Sequence, residues 1–206
     1  MDPRRLTLAG VILAVAACAP TPATDRDPGD GGGDAPLQQV AVACSPSENM
    51  PVAGRSSPYD STAFNVAGQR SLVCYGRPSV RERTIFGGLV PYGQIWRTGA
   101  NEPTVIHLPV AASIAGIDVE PGSYSLYTVP GEQEWEVVVN ASTSQWGIES
   151  QYSSVESQEV GRATVPAESS DGPVEVFEIQ AEQQGDAAEL VLAWENTRVR
   201  IPVQAR

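Results

Sequence analysis

The sequence predicts an all-β domain, an antiparallel β-sandwich or flattened barrel of about eight or nine strands, preceded by an export signal and a tether. Three observations predict it. Short period-two stretches bounded by turn residues recur from about Ser71 onward. No window carries a long helical period with caps. Residues 1–39 differ sharply in composition from everything that follows.

The chain opens MDPRR, then LTLAGVILAVAA, then Cys18. Arg4 and Arg5 make a short basic region. The apolar run from Leu6 to Ala17 is shorter than the about 20 residues that cross a bilayer, and has the length of a signal-peptide core. Val15, Ala16 and Ala17 lead into the cysteine in an order that resembles the lipobox of bacterial lipoproteins, where the thiol is lipidated and becomes the new N-terminus. Residues 1–17 are therefore expected to be a lipoprotein signal peptide and Cys18 the lipidation site, with the membrane as partner and the cell envelope as location. Several acyl chains on one residue anchor stably where a single chain binds only marginally. Ala19 in place of an aspartate slightly favours the outer membrane. From Cys18 to Gln39 the chain is rich in Pro, Gly and Asp and nearly free of large apolar residues, which predicts a flexible tether.

Residues 40–206 suffice for one domain with a sizeable core. Its clearest strands are SLVCY, TVIHLPV, GSYSLYTV, EWEVVVN, VEVFEIQ, AELVLAW and TRVRIPV. In EWEVVVN one face carries Trp135, Val137 and Val139. In TRVRIPV one face carries Val199, Ile201 and Val203, opposite Arg198 and Arg200. Turn signals fall at Pro121-Gly122, Pro130-Gly131 and Glu195-Asn196. Asn140 to Ser157 reads as an irregular insertion, pinned to the core by Trp146.

Net charge is −12, and all thirteen basic residues are arginine. The acidic balance argues against nucleic acid or a bare anionic lipid surface as partner. Absence of lysine excludes Schiff-base chemistry and lysine-dependent phosphate loops. With Cys18 committed to lipid, Cys44 and Cys74 form an even pair for which a disulfide is expected in an oxidising compartment. The alternative is a buried Cys74 and a free Cys44.

Residues 75–104 stand out. Arg77, Arg81, Arg83 and Arg97 are interleaved there with Tyr75, Phe86, Tyr92 and Trp96. Arginine beside aromatic faces binds carboxylates, phosphates or sugars by forked hydrogen bonds and stacking. The residues expected to make polar contacts are Arg77, Arg97, Asn101 and Glu102, with Trp96 and Tyr92 as platforms. The ligand would be a small molecule, a glycan or an envelope protein. The competing expectation is that these arginines satisfy loop carbonyls and acidic neighbours, with Trp96 and Phe86 as plugs that seat the loop.

The segments GRPSVRERTIFGGLVPYGQIWRTGANEPT, PGSYSLYTVPGEQEWEVVVN, QWG and WENTRVRIPV resemble the bacterial family catalogued as domain of unknown function 2911, from about Ser57 to Val203. The resemblance implies the domain limits and marks the arginine-rich loop as the family's hallmark. It implies no reaction. The two cysteines are not part of the family pattern.

Sharper chemistries find little support. His107, the single histidine, sits mid-strand, and no nucleophile-elbow pattern accompanies any serine. Clustered metal ligands and calcium loops are lacking, so neither metal nor cofactor is expected. FGG and GGG have no helix after them to cradle a phosphate. A glycan-acting hydrolase would need Glu102 opposed by Glu82, Asp118 or Glu120 across a cleft. The expected function is non-catalytic binding through the 75–104 loop. A hydrolase and a scaffold for envelope assembly are the alternatives.

Overall fold

The structure, a computed structural model, describes residues 42–48, 51–147 and 149–206. The expected signal peptide (1–17), Cys18 and the whole expected tether (18–39) lie outside the described residues. The described chain is all-β, with nine strands: β1 (Tyr59–Val66), β2 (Gln69–Gly76), β3 (Thr104–Leu108), β4 (Ala112–Ile114), β5 (Ile117–Val119), β6 (Gly122–Pro130), β7 (Glu134–Asn140), β8 (Glu159–Gln184) and β9 (Ala187–Ala205). They form a single antiparallel sheet in the order β1-β2-β3-β6-β7-β8-β9-β4-β5, which does not close into a barrel.

Two long strands turn this sheet over on itself. Along β8, residues 159–166 pair with β7, and the ladder to β9 begins at Ala167 and continues to Gln184. Its register slips between Ser169 and Val174 and again before Glu178, and Glu195 on the facing strand has φ 54°. Such bulges bend a strand and sharpen its twist. The Glu195-Asn196 turn expected from sequence is this bulge, so AELVLAW and TRVRIPV are two halves of one strand, β9.

The sequence pattern also passes over β1, β4, β5 and the first half of β8. Two of the hairpins involved turn on Ala-Gly. Ala67-Gly68 and Ala115-Gly116 both have positive φ at each residue, as a two-residue hairpin turn with the strands' own twist requires.

Folding over brings the inward residues into one core: Val73 and Tyr75 of β2, Ile106 of β3, Val137 and Val139 of β7, Phe177 and Ile179 of β8, and Leu190 to Ile201 along β9. The β1 edge reaches β8 through side chains in place of a ladder. Thr62 Oγ1 donates to the Ile179 carbonyl, and the Tyr75 hydroxyl accepts from Ile179 N at 3.0 Å. Gln183 pairs with both main-chain groups of Asn65. A smaller cluster, Tyr127, Val138, Tyr152 and Val155, covers the other face of β6 and β7. Tyr152 and Val155 come from the 141–158 insertion, which holds two short 3₁₀ turns, Glu149–Ser154 and Glu156–Gln158. That second cover explains why EWEVVVN is buried on both faces from Val137 on.

The sulfurs of Cys44 and Cys74 are bonded, with Cα atoms 5.7 Å apart. The bond straps residues 42–48 onto β2.

Candidate functional site

Residues 77–103 connect β2 to β3 and are seated by main-chain contacts. Trp96 exchanges two hydrogen bonds with Thr128, at 2.7 and 2.9 Å, in the place beside β6 next to the end of β3. Ser79 bridges to Val176, and Val80 N donates to Glu175 O at 2.8 Å. Both oxygens of Glu195 face the amides of Ile85 and Phe86, at 3.3–3.4 Å. The return limb lies so close to β2 that a Cβ on Gly76 would fall 2.0 Å from the Ala100 carbonyl oxygen.

Beneath the loop is an aromatic core. Trp96 stacks on Trp194, centroids 5.8 Å apart and 18° between planes, and meets Phe86, Trp135 and Phe177 edge-on. Its indole N–H donates to Gly99 O at 3.2 Å. Trp96 is therefore a plug, 5% exposed, and offers no open face for stacking a sugar.

Above this core lies a cleft of about 470 Å³. Ser79, Arg81 and Arg83 line it, together with Leu89, Val90, Pro91 and Ile95. Asn101, Arg97 and Glu149 border it, and Trp96 and Trp194 contribute to its lining. Backbone strain concentrates here. Of the seven non-glycine residues with positive φ among the described residues, four (Arg81, Glu82, Thr98 and Asn101) fall within residues 81–101. Such conformations cost about 1–3 kcal/mol each, and persist where surrounding structure over-determines them.

The arginines divide into two groups. Seven of the ten described arginines contact a carboxylate, among them Arg77 with Asp60 at 2.9 Å and Arg97 with Glu149 at 2.7 Å. Arg70, Arg81 and Arg83 have no carboxylate partner among the described residues, and the last two share the cleft wall. Arg81 Nη2 donates to Ser56 O at 2.9 Å. Arg83 donates from Nε to Val80 O at 3.0 Å and from Nη2 to Ser79 O at 2.7 Å. Glu175 binds the backbone N–H of Arg81, not its guanidinium. Main-chain carbonyls thus aim both cations without neutralising them, and each keeps several of its five N–H donors.

Of the six residues chosen from sequence, Trp96, Arg97 and Asn101 line the cleft, and Arg77, Tyr92 and Glu102 do not. Arg77 braces β1 through Asp60 and accepts its place from the Phe177 carbonyl, to which Nε donates at 3.2 Å. Tyr92 is exposed, with its ring against Gly87. Glu102 is buried, held through both oxygens by Arg55 Nη1 and through Oε1 by Ser47 N. Sequence alone does not single out Arg81 and Arg83 as contacts, because the acids that occupy the other arginines are distant in sequence. Glu149 is 52 residues from Arg97, and no local pattern announces it.

The carboxylates proposed for hydrolysis are not gathered. Glu82, Asp118 and Glu120 border neither the cleft nor a second hollow, of about 430 Å³, that Glu102 lines with Glu48 and Tyr59. The Tyr59 hydroxyl is pushed up to about 12 by burial and then by the Glu102 charge, opposed by Arg55, so it stays protonated at neutral pH. His107 is half-buried on β3, its Nδ1 2.7 Å from Ser123 Oγ, and it lines neither hollow. In the main cleft the one carboxylate is Glu149, engaged by Arg97. Trp146 is half-buried and sits with Tyr127 and Tyr152 around a space of about 20 Å³ at the insertion.

Fold and site together define a one-sheet, all-β domain whose arginine-bearing β2–β3 loop roofs an aromatic core and leaves a cationic cleft. The chain belongs to the family described as protein of unknown function (DUF2911), whose model matches residues 57–203. That match runs from just before β1 to Val203, near the end of β9, and contains the whole cleft; Cys44 and Arg55 precede it. Comparison with curated proteins and with solved structures gave no match.

Proposed function

We propose that this protein is an envelope lipoprotein, anchored through lipid on Cys18, whose domain binds a small anionic ligand in the 78–101 cleft without turning it over. The observation that carries the binding part is the pair Arg81 and Arg83: two guanidinium groups, positioned by neutral carbonyls and without a carboxylate partner among the described residues, on the wall of a cleft in a chain of net charge −12. A carboxylate or phosphate would supply the acceptors that seven other arginines find within the protein. Supporting a binding role over catalysis is the engagement of Glu149 by Arg97, which leaves the cleft no free acid or base of its own. The cleft's volume falls in the range of small-molecule sites. Supporting the anchor is the order basic region, apolar run, small residues and Cys18.

Two measurements test this. Incorporation of labelled fatty acid into the expressed chain is expected, and Cys18→Ser should abolish it; labelling that survives the substitution would refute the anchor. For the cleft, thermal unfolding with added carboxylates and phosphates should show stabilisation that Arg81→Gln/Arg83→Gln loses while the variant still folds. Stabilisation unchanged in that variant would remove the cleft from the function.

A further inference from the structure

Resting on that reading, we infer that the ligand is an amphiphilic acid, with its anionic head on Arg81 and Arg83 and an aliphatic or aryl body against Leu89, Val90, Pro91 and Ile95. The cleft's lining has two chemistries. It holds the two guanidiniums with Ser79, and it also holds the apolar residues Leu89, Val90, Pro91 and Ile95. Leu89 is 49% exposed, the largest exposure among the big apolar side chains of the described residues, and it borders the cleft. Large apolar side chains left open on a concave surface beside fixed polar groups are how small-ligand sites read a ligand with both kinds of surface.

A polar glycan fits this arrangement poorly. Sugar recognition would use an open aromatic face and a ring of paired donors and acceptors. Trp96 and Trp194 are 5% and 2% exposed, closed in by each other and by Phe86, and Tyr92 is not in the lining. What Leu89 and its apolar neighbours in the lining reward is methylene or ring surface. Burying each additional methylene should tighten binding about fourfold.

The test uses the full-length Cys18→Ser chain, which carries no lipid, titrated with butyrate, hexanoate, hexanol, glucuronate and inorganic phosphate and followed by tryptophan fluorescence and calorimetry. Hexanoate, two methylenes longer, is expected to bind about sixteenfold more tightly than butyrate, and more tightly than hexanol, glucuronate or phosphate. Arg81→Gln/Arg83→Gln should abolish hexanoate binding. Leu89→Ser, at an exposed position, should weaken hexanoate several-fold and leave butyrate nearly unchanged. Equal affinity for butyrate and hexanoate, or glucuronate or phosphate binding as tightly as hexanoate, would overturn the amphiphile while sparing the anion-binding cleft, provided the arginine variant loses that binding. Hexanol equal to hexanoate, hexanoate binding that survives the arginine substitutions, or no binding of any probe would overturn both. Circular dichroism of each variant separates lost binding from lost folding.

Discussion

Glu149 grips Arg97 through two parallel hydrogen bonds, Nε to Oε1 at 2.7 Å and Nη2 to Oε2 at 2.8 Å, and so ties the 141–158 insertion to the loop that borders the cleft. The same guanidinium donates from Nη1 to the Asn101 carbonyl at 3.1 Å. Both side chains are about a quarter to a third exposed, so solvent screens the pair without dissolving its forked geometry. Arg97→Ala should destabilise the domain by roughly 1–2 kcal/mol in urea unfolding. A double-mutant cycle with Glu149→Gln should return about 1 kcal/mol of coupling. Strictly additive effects would mean that the two elements are held together by something else.

Gly147 marks the second point of contact between insertion and loop. A Cβ there would lie 2.3 Å from Asn101 O, 2.8 Å from Arg97 Cδ and 3.0 Å from the Glu102 carbonyl carbon. Two of those atoms are backbone and cannot swing aside. Gly147→Ala should therefore cost about 1–3 kcal/mol through overpacking. Gly172→Ala, where an added Cβ meets nothing within 4 Å, is the control and should change stability by less than about 0.5 kcal/mol. Equal effects of the two substitutions would contradict the close approach.

Gly147 also shows what could and could not be seen in the sequence. Period-two patterning located β2, β3, β6 and β7: β3 buries alternate residues, and in β7 Trp135, Val137 and Val139 lie inward as their spacing predicts, although β2, β6 and β7 are buried over consecutive residues for much of their length. It missed β1, whose burial is confined largely to Phe64 and Val66, and β4 and β5, which have three residues each. It divided β9 at Glu195 because a bulge and a turn share the same local composition. For the site, the arginine-rich segment could be recognised, but the division of labour within it could not. That division depends on where Asp60, Glu149 and Glu175 come to rest, which is a matter of tertiary structure.

Glu102, chosen from sequence as a ligand contact, behaves instead as a clasp for the N-terminal strap. Its carboxylate is 7% exposed and faces an Arg55 guanidinium that is 1% exposed, 2.9 Å away, while Ser47 N donates to it at 3.0 Å. Removing one partner of such a pair leaves a buried charge uncompensated, at a cost of about 3–5 kcal/mol. Glu102→Gln should therefore be strongly destabilising and should raise hydrogen exchange at the Ser47 amide, leaving binding in the 78–101 cleft intact in whatever fraction remains folded. Arg55→Met/Glu102→Leu should cost less than the sum of the two single changes. A Glu102→Gln variant that is fully stable yet unable to bind would return this residue to the site.

His107 gives the domain a pH dependence that a single substitution can isolate. Burial lowers its pKa below the ordinary 6.5, because the half-buried ring loses hydration in its charged form. The folded value thus lies below the unfolded one, and as pH falls the unfolded chain takes up the proton first. Stability is complete above about 6.5 and declines through the window beneath it, until the folded form is protonated too. Glu159 also loses stabilising charge as pH falls, but from below its ordinary 4.5, since Arg162 holds its carboxyl down. His107 is the chain's one histidine, so urea unfolding at pH 7.5, 6.5 and 5.5 reads its contribution with little interference. His107→Gln, which can still hydrogen-bond Ser123, should flatten the profile across that range. A variant whose stability falls as steeply as the parent's would place the titrating group elsewhere and leave the Ser123 contact as simple strand packing.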